Sequence, residues 1–323
     1  MKPNLLVMDI KYCSESTIKK LQIYFNLFPS VARTVGELRN DLVRTRATFL
    51  QCGLGIKIGS DLLADVESFQ CVISPTTGLD HLEIDYLLTR GIKVIHLGQL
   101  KDEIKGVFAT AEVTWGLLLT VSRHLVDAHH HVLQGTFDRE AFLGRELQGR
   151  TLGVIGYGRL GKKVSEYGKA FGMNVKITEI DAQKMLELPQ GVEPVELDRL
   201  LMESDVISIH LPLNDETESY MDGAKIKKMK AGAILINTSR GEILDEAATS
   251  QALESGHLYG VGVDVLSGEV SDKFNPLSSP LVLSANNGFN VVITPHIGGW
   301  AENAVIKTRD LVAEALIRSI SRV

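Results

Sequence analysis

The stretch TLGVIGYGRLG, residues 151–161, decides the fold. An apolar run from Leu152 to Ile155 meets three glycines, Gly156, Gly158 and Gly161, and a helical pattern follows over residues 162–170. A strand that turns into a helix through Gly-x-Gly-x-x-Gly is a place for a dinucleotide pyrophosphate. Gly156 allows the tight turn, Gly158 lets the backbone approach the phosphates, and Gly161 lets the helix pack on the strand. The helix start then offers free N–H groups and the positive end of its dipole, and Arg159 adds a candidate side-chain contact. The pattern requires an acid at the end of the next strand to accept the adenosine ribose hydroxyls. Residues 175–178 read as that strand, and Glu179 ends it 18 residues beyond Gly161, with Asp181 as the rival. Either carboxylate repels a 2′-phosphate, which favours NADH over NADPH.

Outward from this turn, apolar runs expected to be buried parallel strands recur at residues 206–210, 233–236, 260–265 and 291–294. On the N-terminal side, strands are expected at 5–8, 47–50, 71–73 and 94–95, with helices at 16–27 and 83–89 between them. A long helix is expected over 109–132, and a last one over 302–319 returns to the first domain and makes it discontinuous. The fold class is therefore α/β: two doubly wound parallel-sheet domains, the first of residues 1–103 and 299–323, the second of residues 104–298.

Three further residues fit one chemistry. Arg240 follows the apolar strand ILIN and a Thr-Ser pair, beyond a strand's carboxyl end, where ligands bind in open α/β sheets. A guanidinium there can hold a carboxylate at two points and polarise an adjacent keto oxygen. Glu269 lies in the loop after Gly262-Val263-Asp264-Val265. His296 follows Pro295 at the last strand end and precedes Gly298 and Gly299. If Glu269 and His296 meet, the carboxylate favours the imidazolium and fixes its tautomer, which a general acid for ketone reduction needs. His129, His130 and His131 point about 100° apart on a helix and cannot converge on one ion, so they read as a solvated face and no metal is expected. His210 ends a strand near the cofactor and reads as a support for the loop.

The chain has 323 residues, 44% hydrophobic and 23% charged, with net charge −6, enough for two cores and without the basic face that nucleic acid or an anionic membrane would require. Cys13, Cys52 and Cys71 form no CxxC and read as buried free thiols of a reducing compartment. The first apolar run is too short for a signal peptide, and none approaches the roughly 20 residues of a membrane span. A cytoplasmic location is expected.

These islands, in this order and spacing over nearly the whole chain, resemble the D-isomer-specific 2-hydroxyacid dehydrogenase family. The strongest stretches are GRELQGRTLGVIGYGRLG, residues 204–217, LINTSRG, residues 262–269 and TPHIGG. The resemblance implies a Rossmann NAD-binding domain inserted in a discontinuous flavodoxin-like substrate domain, acting on a small 2-oxo or 2-hydroxy acid. It implies that Arg240 binds the substrate carboxylate and keto oxygen and that His296 and Glu269 form the acid/base unit. Asp264 would contact the nicotinamide carboxamide and Glu179 the ribose; Leu160, His210, Pro212, Thr217, Thr238 and Gly298 would join the glycine turn in holding NAD. The backbone of Thr76, Thr77 and Gly78 would hold the substrate carboxylate. A homodimer through the NAD domain, with the helix over 109–132 at the interface, is implied as well.

Some features depart from the phosphoglycerate dehydrogenase branch. Its Arg-rich segment after the third strand is here Gly53-Leu54-Gly55-Ile56-Lys57-Ile58, with Lys57 the only cation, and no C-terminal regulatory domain is expected. Trp300 is expected to narrow the pocket. A short D-3-phosphoglycerate dehydrogenase, using Lys57 for a phosphate, is the nearest rival, and an NAD(H)-sensing corepressor-like binding module is the rival of another class.

Overall fold

Five short parallel strands form the first sheet: β1 (Asn4–Met8), β2 (Asn26–Ser30), β3 (Phe49–Gln51), β4 (Cys71–Ser74) and β5 (Lys93–His96). Their order is β2-β1-β3-β4-β5, the flavodoxin-like arrangement. Alternate residues go to opposite faces, and both are apolar. Leu6, Met8, Leu50 and Val72 pack with Val35, Leu38 and Leu42 on one face. Leu5, Val7, Phe49 and Ile73 pack with Leu21 and the C-terminal helix, Glu302–Ile320, on the other. Burying Val312 and Leu316 of that helix contributes about 1.5–3 kcal/mol each. The structure, a computed structural model, describes every residue except 67, 182, 184–187, 272, 322 and 323.

The second sheet has seven parallel strands: β6 (Thr151–Ile155), β7 (Asn174–Thr178), β8 (Val192–Pro194), β9 (Val206–Ile209), β10 (Ala233–Asn237), β11 (Leu258–Val263) and β12 (Val291–Ile293). Their order, β12-β11-β10-β9-β6-β7-β8, reverses direction between β6 and β9. That switch point is where doubly wound sheets bind dinucleotides, outside the carboxyl ends of the strands. The helix Ala109–Arg123 lies close on β11: a Cβ at Gly260 would stand 2.6 Å from Val121, and one at Gly262 3.1 Å from Leu117. The chain thus divides into unit 1, Met1–Val107, Val270–Phe274 and Trp300–Val323, and unit 2, Phe108–Glu269 and Asn275–Gly299.

Several sequence expectations are corrected. The helix expected over 16–27 runs Glu15–Tyr24, because Phe25 turns to an extended backbone and the next five residues pair with β1 as β2. β2 carries Pro29 and β8 carries Pro194; both are edge strands, where a missing N–H is tolerated. The helix expected over 109–132 is two, Ala109–Arg123 and Leu125–Leu133. They are broken at His124, which adopts φ +51 and is hydrogen-bonded to the Tyr259 hydroxyl at 2.7 Å. Of the three consecutive histidines, His129 and His130 are exposed, but His131 is half-buried with its ring 5.1 Å from that of Phe142, so they are not one solvated face.

Candidate active site

The glycine turn follows β6 as its sequence requires. Gly156 has φ +92, and a Cβ there would stand 2.6 Å from the His210 carbonyl oxygen; at Gly161 it would stand 2.0 Å from that of Gly156. A Cβ on Gly158 would meet nothing within 4 Å, so this side of the turn is open to a phosphate. Gly158 also caps the helix Arg159–Ala170 without a side-chain hydrogen bond to its amides. Glu179, at the end of β7, accepts the Tyr157 N–H at 2.8 Å and the Asp181 N–H at 3.1 Å. Of the two candidate acids it is the one tied to the turn, and Asp181 lies exposed. This cradle fits a dinucleotide.

Along the carboxyl ends of the remaining strands stand the other candidates. After β9 come His210, Pro212 and Thr217; the Thr217 hydroxyl, bonded to the Pro212 carbonyl at 2.6 Å, closes that loop. Thr238, after β10, is buried with its hydroxyl 2.7 Å from that of Thr114. Lys57, Thr76, Thr77 and Gly78 lie in unit 1, after β3 and β4. Lys57 pairs with Glu83 at 3.1 Å, and the Thr76 hydroxyl donates to the Gly78 carbonyl at 2.8 Å.

His210 is bonded to the Ser208 hydroxyl at 2.8 Å, and burial pushes its pKa down to about 4, so it is neutral at pH 7. As pH falls, the unfolded chain takes up this proton first, near 6.5. The stability that neutral His210 allows is therefore full above about pH 6.5 and lost as pH falls toward 4, on the order of 3 kcal/mol at most. His210→Gln is expected to flatten this part of the pH dependence of the urea-unfolding midpoint. An unchanged slope between those two pH values would refute the assignment.

His296 and Glu269 meet: Nδ1 of the imidazole is hydrogen-bonded to Oε1 of the carboxylate, and both side chains are largely buried. His296 holds φ +51, a conformation uncommon for a non-glycine residue, and the surroundings impose it. Its N–H donates to the Asp264 carbonyl at 2.8 Å. The buried Asp264 carboxylate takes the Thr294 hydroxyl at 2.6 Å and the N–H groups of Ile297 at 2.8 Å and Gly298 at 2.6 Å. Burial raises the Asp264 pKa, and these three donors oppose the rise.

The loop bearing Glu269 is held by carboxylates that the motif reading did not find. Glu246 accepts the Ser267 N–H at 2.7 Å and the Ser279 hydroxyl at 2.6 Å; Glu242 accepts the Gly268 N–H at 3.0 Å; Glu269 itself accepts the Leu266 N–H at 3.0 Å. Both new residues follow Arg240 closely. Gly241, between Arg240 and Glu242, packs so tightly that a Cβ would stand 2.1 Å from the Leu266 carbonyl carbon. Arg240 is half-buried in the turn, its Nη1 donating to the Ser239 carbonyl at 2.7 Å, while Asn237 donates to the Arg240 carbonyl at 2.9 Å. Glu246→Ala strands the buried Ser279 hydroxyl and frees the part-buried Ser267 N–H, and is expected to cost about 1–2 kcal/mol of stability. Glu246→Gln keeps an acceptor and should restore most of it; equal melting temperatures for the two variants would contradict this clamp.

A cradle for a dinucleotide and a row of polar groups along the same strand ends define unit 2 as the nucleotide-binding domain of an oxidoreductase. Comparison with known proteins agrees. Residues 115–298 match the model of the D-isomer specific 2-hydroxyacid dehydrogenase, NAD binding domain. A glyoxylate reductase from Aeropyrum pernix is 35% identical over 81% of this chain and 76% of its own. A hydroxypyruvate reductase from Thermotoga maritima is 36% identical over 77% of this chain and 76% of its own. The crystal structure of a D-lactate dehydrogenase from Aquifex aeolicus, complexed with NAD and lactic acid, superimposes with a TM-score of 0.79 at 28% identity, covering 98% of this chain and 96% of that one. The chain belongs to the D-isomer specific 2-hydroxyacid dehydrogenase family, an NAD-dependent family of enzymes, and its cofactor is NAD.

Among the described residues no helix is long and apolar enough to cross a membrane. All three cysteines are free and buried, and burial pushes their pKa values to about 11 for Cys13 and Cys52 and about 12 for Cys71, so none is a thiolate nucleophile at neutral pH.

Proposed function

We propose that the chain interconverts a small 2-oxo acid and its D-2-hydroxy acid, with His296 and Glu269 as the acid/base pair and Arg240 as the carboxylate clamp. The hydrogen bond between His296 Nδ1 and Glu269 carries this reading, because it stands at the strand ends of the sheet that forms the glycine cradle. With Nδ1 given to Glu269, Nε2 is the ring nitrogen that serves the substrate. Bound NADH supplies the hydride for the keto carbon. As the carbonyl π pair moves onto oxygen, the His296 Nε2 proton goes to that oxygen, and Glu269 stabilises the imidazolium until then. Arg240 anchors the carboxylate and polarises the keto oxygen. Asp264, whose oxygens take three donors around His296, holds that turn and keeps acceptor capacity on Oδ2 for the nicotinamide carboxamide to which it is assigned. Gly156, Gly158, Arg159, Leu160, Gly161 and Glu179 are assigned to the dinucleotide, with His210, Pro212, Thr217, Thr238 and Gly298 along the strand ends. In unit 1, Thr76, Thr77 and Gly78 are assigned to the substrate carboxylate.

The names of the two relatives support short 2-oxo acids, glyoxylate and hydroxypyruvate, as the first substrates to try. The phosphoglycerate reading is disfavoured because the Glu83 carboxylate already holds Lys57. Oxidation of NADH, with NADPH in parallel, is to be followed against glyoxylate, hydroxypyruvate, pyruvate and 3-phosphohydroxypyruvate. Turnover of one unphosphorylated acid with NADH is expected; turnover of the phosphorylated one alone would favour the rival, and NADH binding without turnover would favour a binding module. A homodimer through the segment after His124 is supported by its exposed apolar side chains, including Phe137 at 94% and Leu143 at 87%. A monomer by sedimentation would remove it. Buried free thiols support a cytoplasmic location.

A further inference from the structure

Arg309 stands where unit 1 wants an apolar side chain. On the helix Glu302–Ile320 the inward stripe is Ala304, Val305, Arg309, Val312, Ala313 and Leu316. Arg309 is 3% exposed, and among the described residues neither its Nε nor its Nη1 has a hydrogen-bond partner. The ion pairs of this helix, Glu314 with Lys20 and Arg318 with Glu103, lie further along it, and among the described residues no carboxylate pairs with Arg309. A buried arginine is almost always paired, and a buried charge left unpaired is strongly destabilising. Such a break in an otherwise consistent pattern is expected where function has overridden stability.

The surroundings locate it in the fold. The guanidinium carbon lies 5.8 Å from the Tyr12 ring centroid, and Trp300 meets Tyr12 edge-on at 5.2 Å. The charge of Arg309 also acts on the Cys13 and Cys52 thiols. Tyr12 and Cys13 follow β1 and Cys52 follows β3, so the guanidinium stands by the carboxyl ends of the first sheet, the ligand side of an open α/β sheet. These neighbours are aromatic rings and protonated thiols; Gln51, buried beside them, turns its amide to the Cys13 sulfur at 3.8 Å. The Asp310 carboxylate also acts on Cys13, but it is bonded to the Ser14 N–H at 3.0 Å and forms no ion pair with Arg309 among the described residues.

We propose that Arg309 anchors an anion site in unit 1 that takes a carboxylate or phosphate group. That group is either a free anion or the charged side chain of the 2-oxo acid. The first arm of the test is equilibrium titration of the full chain with malonate and with inorganic phosphate. It reads the tryptophan emission that is absent from a Trp300→Phe protein. A saturable change is expected, and Arg309→Met should weaken it by about 30-fold or more. Arg309→Lys, which keeps the charge, should weaken it less. Methionine replaces the buried charge at similar volume, so this variant should fold, with a raised melting temperature.

The second arm rests on the 2-oxo acid reading. It compares KM for 2-oxobutyrate against oxaloacetate, and for hydroxypyruvate against 3-phosphohydroxypyruvate. A preference for a charged member that falls toward one in Arg309→Met makes the anion the substrate's own and tells carboxylate from phosphate. Loss of malonate or phosphate binding with unchanged KM ratios makes it a free anion. Undiminished binding in Arg309→Met overturns the proposal, as does no saturable binding in the unaltered chain with KM ratios untouched by the substitution. Failure to turn over any of these acids would count against the reaction and leave the titration to decide the site.

Discussion

Replacing His296 by alanine is expected to lower kcat by about 100-fold or more while leaving NADH affinity nearly unchanged. Alanine removes the proton donor but not the cradle, whose glycines and Glu179 lie on other loops of unit 2. The backbone complicates the comparison, because residue 296 sits at φ +51. His296→Asn is the companion variant, since asparagine tolerates that conformation better than most residues and carries no imidazole. If both variants lose turnover alike, the loss belongs to the ring and not to the turn. Turnover like that of the unaltered chain in either one would remove His296 from the acid/base role. Glu269→Gln should fall between them and the unaltered chain, because an amide still orients Nδ1–H but no longer stabilises the imidazolium.

Arg240→Lys is expected to act mainly on KM, raising it by about 30-fold to 100-fold. A planar fork with fixed donors is replaced by one flexible point charge, and the two-point hold on a carboxylate is lost. Part of the loss should reach kcat, because the same guanidinium is assigned to the keto oxygen. The KM for NADH is expected to stay in place. A variant with unchanged KM for the acid would remove Arg240 from the clamp, and one that lost NADH binding instead would move it to the cofactor.

The places of Arg240, Glu269 and His296 at strand ends were legible because each follows an apolar run that ends in a polar turn, where such folds place their ligands. Glu242 and Glu246 were not legible for the opposite reason. Their meaning lies in which backbone N–H groups the Leu266–Glu269 loop turns toward them, which no spacing in the chain displays. β2 was missed because NLFPS carries a proline that argues against a strand unless the strand is known to lie at an edge. The break at His124 was missed because helical periodicity continues on both sides of it. Arg309 shows a third kind of failure: it was in plain view, but an arginine in a helix reads as solvated until the stripe it interrupts is known.

The contact between Gly241 and the Leu266 backbone bears on how such a chain can change over time. Arg240 and the Glu269 loop sit on consecutive strands, yet with no room for even one methyl group between them neither can be reshaped alone. An insertion of one residue before Glu269 would push the arginine turn aside, and a side chain at 241 would do the same from the other direction. New preferences among acids are thus far easier to acquire elsewhere in the protein, and the turn and loop should drift, if at all, as one inherited block.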